Sequence, residues 1–270
     1  MHRRYENKTA VVTGGGSGLG RDMALGFAAE GAHVCVIGRR QEKLDETCAL
    51  IEKAGGKAFG LSGDVRDAQR VQEIIDEIVA KTGGIDVLVN NAAGNFIAPS
   101  ETLSPNGFKS VVDIVLLGTF NATRAAFTTL SARHGAILNI IASYAWKGEP
   151  GAVHSASAKA GVWAMTQTLA AEWGQFGIRV NCIAPGPVHT EGTDKNLWSV
   201  GAIEKLVVKQ VPLGRLGEVE DVTRAATWIC SDDASWVSGA TLAVDGAQGV
   251  HGGSMNFRGA YDAMMKGQGA

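Results

Sequence analysis

At 270 residues, 45% of them hydrophobic and 19% charged, the chain suits one large domain or two small ones. Its net charge of −2 argues against a nucleic-acid binder, but a local basic patch still leaves room for an anionic ligand. No apolar run approaches the roughly 18 residues of a membrane span, and the basic start MHRRYENK lacks a signal peptide's apolar core, so a cytoplasmic protein without membrane contact is expected.

Short apolar runs alternate with helix-length segments along the whole chain. The runs are Thr9–Thr13, His33–Ile37, Lys57–Leu61, Asp86–Asn90, Ala136–Ile141, Arg179–Ile183 and Thr241–Val244. Most are rich in Val, Ile and Leu without strict alternation, the pattern of strands covered on both faces. Between them, segments such as Arg21–Glu30, Glu42–Ala54 and Ala68–Lys81 carry apolar residues at helical spacing. Repeated βα units predict an α/β fold: one doubly wound Rossmann-type domain over 1–270, with a seven-stranded, mostly parallel sheet and helices on both faces. Residues 191–211 have few Gly or Pro and form the expected substrate lid. Residues 249–270 are Gly-rich and read as a C-terminal tail, ending KGQGA without a peroxisomal tripeptide. Cys35, Cys48, Cys182 and Cys230 have no metal-like spacing, so buried thiols and no metal site are expected.

The first turn is TGGGSGLG, between a strand and a helix. Gly14, Gly16, Ser17, Gly18 and Leu19 are placed to cradle a pyrophosphate: glycines admit the phosphate to the backbone, and the helix N-terminus supplies donors. Strand two ends in IGRRQEKL, with Arg39 and Arg40 where an acid would accept the ribose hydroxyls of NAD. A guanidinium there favours the 2′-phosphate of NADP, so the expected cofactor is NADPH. GDVRD follows strand three; Asp64 is placed at the adenine amino group with the Val65 backbone beside it, while Asp67 suits a helix cap. NNAAGNF follows strand four; Asn91 is placed near the ribose, Asn95 and Phe96 nearer the substrate. Asparagine also serves turns. Strand six ends in APGPVHT, where Pro185, Gly186 and Val188 should line the nicotinamide.

The stretch IASYAWKGEPGAVHSASAKAGVWAMT, 141–166, carries the chemistry. Tyr144 sits where a strand gives way to a loop. A helix begins near Ser155, and Ser155 and Lys159, four apart, share its face. A phenol, a hydroxyl and an ammonium then meet at the carboxyl edge of the sheet, as reduction of a conjugated or carbonyl substrate requires. His154 is a further polar group beside Ser155 and the next candidate acid after Tyr144; its plainer reading is a loop histidine hydrogen-bonded to backbone. The segment 105–119 has helical apolar spacing at Phe108, Val111, Val112 and Val115, a stripe expected to face the site floor.

Together these motifs resemble the short-chain dehydrogenase/reductase family over nearly the whole chain. Most of that family places a Tyr four residues before the helix Lys; here that residue is Ser155. NNAAGNFIAP, LSPNGFK, SASAKAGV, PGPV, PLGRLG and SDDASWVSG resemble the flavin-independent 2,4-dienoyl-CoA reductase branch, whose acid tyrosine lies eleven residues before the Ser, as Tyr144 does before Ser155. The resemblance implies NADPH, an acyl-CoA thioester substrate and reduction of a 2,4-dienoyl-CoA to a 3-enoyl-CoA. It implies catalytic roles for Tyr144, Ser155, Lys159 and Asn95, substrate contacts from Asn95, Phe96 and Tyr144, and a homotetramer built through helices 105–133 and 156–173. Mitochondrial-type members carry an asparagine where this chain has Leu117, so this chain must polarise the thioester without it. The alternatives are another short-chain NADP(H) oxidoreductase acting on a carbonyl or alcohol, against which Ser155 argues, and a catalytically silent nucleotide-binding relative, against which Tyr144 and Lys159 argue.

Overall fold

The computed structural model describes residues 3–190, 205 and 207–251. Most of the expected lid, 191–211, and the tail beyond 251 lie outside the described residues. Seven strands form one sheet: β1 Thr9–Thr13, β2 His33–Gly38, β3 Lys57–Ser62, β4 Val87–Asn90, β5 Ala136–Ile140, β6 Arg179–Pro185 and β7 Thr241–Val244. Their order is β3-β2-β1-β4-β5-β6-β7, and every neighbouring pair is parallel. The order reverses between β1 and β4. Ligands of such sheets bind at that switch, beyond the carboxyl ends of the strands.

Helices α1 Gly18–Ala29, α2 Gln41–Lys53 and α3 Ala68–Thr82 follow the first three strands. Neighbouring residues of one strand feed opposite layers, as a strand covered on both faces requires. Val12, Val34 and Val36 pack with Met23 and Phe27 of α1. Val11, Cys35 and Ile37 pack with Ile74 and Ile78 of α3. Asp67 caps α3 by accepting from Arg70 N, as its position predicted. All four thiols are buried.

The predicted helix 105–133 contains a break in pitch. Ser104 caps α4, Pro105–Val112, and Pro105 occupies its first turn. A π turn, Asp113–Leu117, then leads into α5, Gly118–Arg133. By length and composition this helix could cross a membrane; here Ala122, Ala126 and Leu130 pack it against α3 and the sheet. Helix α6, Val153–Trp173, starts two residues before Ser155, so His154 is helical rather than in a loop. Helix α7, Val219–Cys230, closes the α1 side, and a short α8, Gln248–His251, follows β7.

Candidate active site

At the β1/β4 switch lies a cleft of about 270 Å³. Gly14, Gly16, Ser17, Leu19, Arg39, Asp64, Val65 and Asn91, all expected to contact a dinucleotide, are among the residues lining it. The turn must be glycine for steric reasons. Gly14 has φ +67°, and a Cβ on Gly20 would lie 2.2 Å from Gly14 O. Thr13 Oγ1 accepts from Asn91 N and Ala92 N, at 3.0 and 3.1 Å. The Asn91 amide donates to Thr13 O at 3.2 Å, so it braces the turn as well as lining the cleft. Gly18 instead faces Thr190, outside this lining.

Arg39 and Arg40 enter the cleft from the end of β2 and are exposed, with Lys43 beside them from α2. Lys43 was not singled out from the sequence, although it belongs to the same basic run. Asp64 is engaged: the Arg66 guanidinium holds it at 2.6 Å, and those hydrogen bonds keep its carboxyl below the usual range. Adenine recognition by that carboxylate therefore has to share it with Arg66. Pro185 ends β6. A Cβ on Gly186 would lie 2.7 Å from Asp245 Cα, and Val188 pairs with Gly217. These three adjoin the β6/β7 edge and are not among the residues lining the 270 Å³ cleft.

The reactive groups gather beyond β5. Tyr144 lies in a 3₁₀ turn, Ser143–Ala145, directly after that strand. Its hydroxyl is 3.2 Å from Ser155 Oγ, so the eleven-residue spacing closes into a hydrogen bond. Ser155 and Lys159 are both buried on one face of α6. Lys159 Nζ donates to Ile140 O at the end of β5. Burial pushes the Lys159 ammonium down from its ordinary 10.5 to about 8, with Cys182 acting weakly in the other direction. Beneath this cluster Val111, Val115, Ile141, Ala158 and Val162 form an apolar floor. A buried polar chain braces it: Asn90 Nδ2 donates to Asn139 Oδ1, and Asn139 Nδ2 to Thr166 Oγ1, which also accepts from the Cys182 thiol. These groups lie inside apolar runs, which gave no signal of them.

Two expectations are corrected. Leu117 is not one of the buried floor residues; it is 47% exposed. The π turn adds a residue to the helical repeat after Val112, while Val111 and Val115 of the expected stripe do line the floor. Leu116 points at α6, where a Cβ on Gly161 would meet its Cδ2 at 2.9 Å. Phe108 is also partly exposed. His154, the second correction, makes no hydrogen bond to backbone. It is wholly buried, and neither ring nitrogen has a partner among the described residues. The Phe96 ring covers it at 4.5 Å between centroids. Asn95 is exposed, and its Oδ1 accepts from Phe96 N at 2.9 Å.

A glycine-cradled cleft at the switch point and a Tyr–Ser–Lys cluster beside it define a dinucleotide-dependent oxidoreductase. A family model described as enoyl-(acyl carrier protein) reductase matches residues 14–251. The chain belongs to the short-chain dehydrogenase/reductase family. It is 45% identical over 251 residues to a probable (2E)-enoyl-CoA-producing 2,4-dienoyl-CoA reductase of Bacillus subtilis, covering 90% of this chain and 97% of that protein. It is 40% identical to the peroxisomal (3E)-enoyl-CoA-producing 2,4-dienoyl-CoA reductase of Arabidopsis thaliana, covering 88% and 83%. Among solved structures, a short chain dehydrogenase from Bacillus anthracis superposes with TM-score 0.84 at 44% identity, covering 93% of this chain and all of that one. A putative 2-deoxy-d-gluconate 3-dehydrogenase from Agrobacterium tumefaciens with bound NADP gives 0.83 at 36% identity, covering 90% and 96%.

Proposed function

We propose that this protein reduces 2,4-dienoyl-CoA thioesters with NADPH. The observation that carries the reading is the Tyr144–Ser155 hydrogen bond at 3.2 Å. It brings a phenol from the loop to the helix position where carbonyl-reducing relatives carry their tyrosine. The curated relatives named as dienoyl-CoA reductases point the same way.

The cofactor fits the residues present. A Cβ on Gly14 would crowd Asn91 at 2.9 Å, so the turn is kept open to a close backbone approach. Arg39, Arg40 and Lys43 offer cations for a 2′-phosphate. When bound, NADPH supplies a hydride for the far end of the diene. Lys159 holds the nicotinamide ribose, and its contact with Ile140 O fixes it to β5. Tyr144 donates its O–H to the thioester oxygen, where enolate charge gathers, and Ser155 orients that phenol. Asn95 donates from the other side. The buried floor under α6 excludes water from the reacting carbons.

Proton delivery to the α-carbon gives a 3-enoyl-CoA; delivery to the γ-carbon gives a 2-enoyl-CoA. The names of the Bacillus and Arabidopsis relatives divide on this point. The polar groups sit at the thioester end, which favours the α-carbon. Partially exposed apolar side chains on the 105–133 helix, such as Phe120, support a homotetramer formed through that face.

The test is turnover of 2,4-hexadienoyl-CoA and of a ketone and alcohol panel, with NADPH and with NADH, with the enoyl product assigned by NMR. The reading expects NADPH-dependent loss of the diene and a 3-enoyl product. Preferential reduction of ketones would replace it with the carbonyl-reductase alternative. No turnover at all would leave a nucleotide-binding relative.

A further inference from the structure

His154 is an expensive way to fill space. It is 0% exposed at the second position of α6, and both Nδ1 and Nε2 lack a partner among the described residues. Buried polar atoms are normally paired, because desolvation without a hydrogen bond is costly. A Phe of similar shape would occupy the position without that cost. Whichever tautomer it holds, an imidazole carries at least one N–H donor, and this one spends it on nothing.

The position is also specific. His154 immediately precedes Ser155, whose Oγ is already engaged by the Tyr144 hydroxyl. Phe96 lies over the imidazole at a 50° tilt and is itself 43% exposed. Asn95 and Ile97 on either side of Phe96 are exposed too. The loop is pinned to the start of α6 by Ala98 N donating to Gly151 O at 3.0 Å, two residues beyond Phe96. A rotation of Phe96 about its side-chain bonds leaves that hydrogen bond intact.

We propose that His154 is a concealed hydrogen-bond donor of the substrate site. An acyl thioester displaces Phe96, and the imidazole N–H then donates to the thioester oxygen alongside Tyr144. This inference rests on the dienoyl-CoA reading. It supplies the thioester with a hydrogen-bond donor that the apolar Leu117 cannot provide. The donor is offered only when a substrate is present, and the aromatic lid keeps water from it in the meantime. No proton leaves the imidazole in this role.

The experiment compares wild type, His154→Phe and His154→Gln for thermal midpoint, NADPH affinity, and kcat and KM on 2,4-hexadienoyl-CoA. His154→Phe should keep or raise the midpoint, keep NADPH affinity and lose roughly 10- to 100-fold in kcat. His154→Gln, which keeps an N–H, should recover much of that loss. A folded His154→Phe with kcat and KM at wild-type values overturns the inference while leaving the reductase reading intact; a wild type that does not reduce the dienoyl-CoA overturns both. A second measurement does not depend on the His154 variants folding. Carbethoxylation of His154, read by peptide mass, should be silent in the free protein, appear in Phe96→Ala, and be suppressed there by hexanoyl-CoA with NADP⁺. Labelling in Phe96→Ala that the thioester does not suppress contradicts the proposal.

Discussion

On the β1–β3 side of the sheet the chain offers mainly backbone; on the β5–β6 side it offers side chains. At the first site Gly14 and Gly20 leave no room for a Cβ, and the charged groups, Arg39 and Arg40, are exposed at the rim. At the second, Ser155, Lys159 and His154 are buried, and Tyr144 reaches them from a tight turn. The cofactor half is thus a shape that a common ligand fits. The catalytic half is a set of desolvated groups whose properties depend on what covers them. Steric changes should break the first half, and hydrogen-bond changes the second.

The largest steric effect is expected at Gly20. Gly20→Ala places a methyl 2.2 Å from Gly14 O and 2.5 Å from Asn91 Nδ2, both held by the turn. It should destabilise the fold by about 1–3 kcal/mol and weaken NADPH by more than about tenfold, read by chemical denaturation and cofactor titration. Unchanged NADPH affinity would show that the turn can relax.

Arg39→Asp tests the rim rather than the cradle. It should turn a preference for NADPH into one for NADH, measured as the ratio of kcat/KM values, with no loss of fold. A wild type faster with NADH at equal concentration would contradict the reading of this rim.

The pH response of the buried half follows from Lys159. Its ammonium loses its proton as pH rises through about 8, so a rate that needs the cation on the ribose should fall above that pH. Stability should move the other way. The folded-state value lies below the ordinary 10.5, so the unfolded chain holds more protons between about 8 and 10.5. The cost of burying the charge is fully present below about 8 and is relieved as pH climbs through that window. Measured denaturation midpoints that fall there with rising pH in wild type, relative to Lys159→Met, would contradict this assignment.

The smallest effect belongs to Leu117→Asn. The side chain is 47% exposed and lies outside the buried floor, so an amide there is expected to gain no hydrogen bond to the thioester. Turnover should stay within about twofold of wild type. A clear gain in kcat would mean that the π turn realigns when substrate binds.

Much of this arrangement could be read from residue patterns. The strands are apolar runs bounded by glycines and polar turns, and all seven appear within two residues of their expected ends. The Gly-rich turn and the Tyr144–Ser155–Lys159 spacing translate into the observed geometry because each is local or joined by one short loop. The failures share a cause in tertiary context. His154 is buried by Phe96, which lies 58 residues earlier in the chain, and no local pattern records that cover. Leu117 lies outside the floor that Val111 and Val115 form, in a π turn whose repeat differs from the one the spacing assumed. Asp64 looks free in GDVRD until Arg66 folds back on it, and Asn91 looks free until its amide is seen bracing the turn.

The measurement that bears most directly on the central claim is the kcat of Tyr144→Phe on 2,4-hexadienoyl-CoA, taken with its NADPH affinity. Ser155→Ala serves as the companion variant. If the loop phenol polarises the thioester, Tyr144→Phe loses roughly 100-fold or more in kcat. NADPH affinity should be unchanged, and Ser155→Ala should lose less. A Tyr144→Phe enzyme within a few-fold of wild type would make Tyr144 a packing residue and place the polarising donor elsewhere.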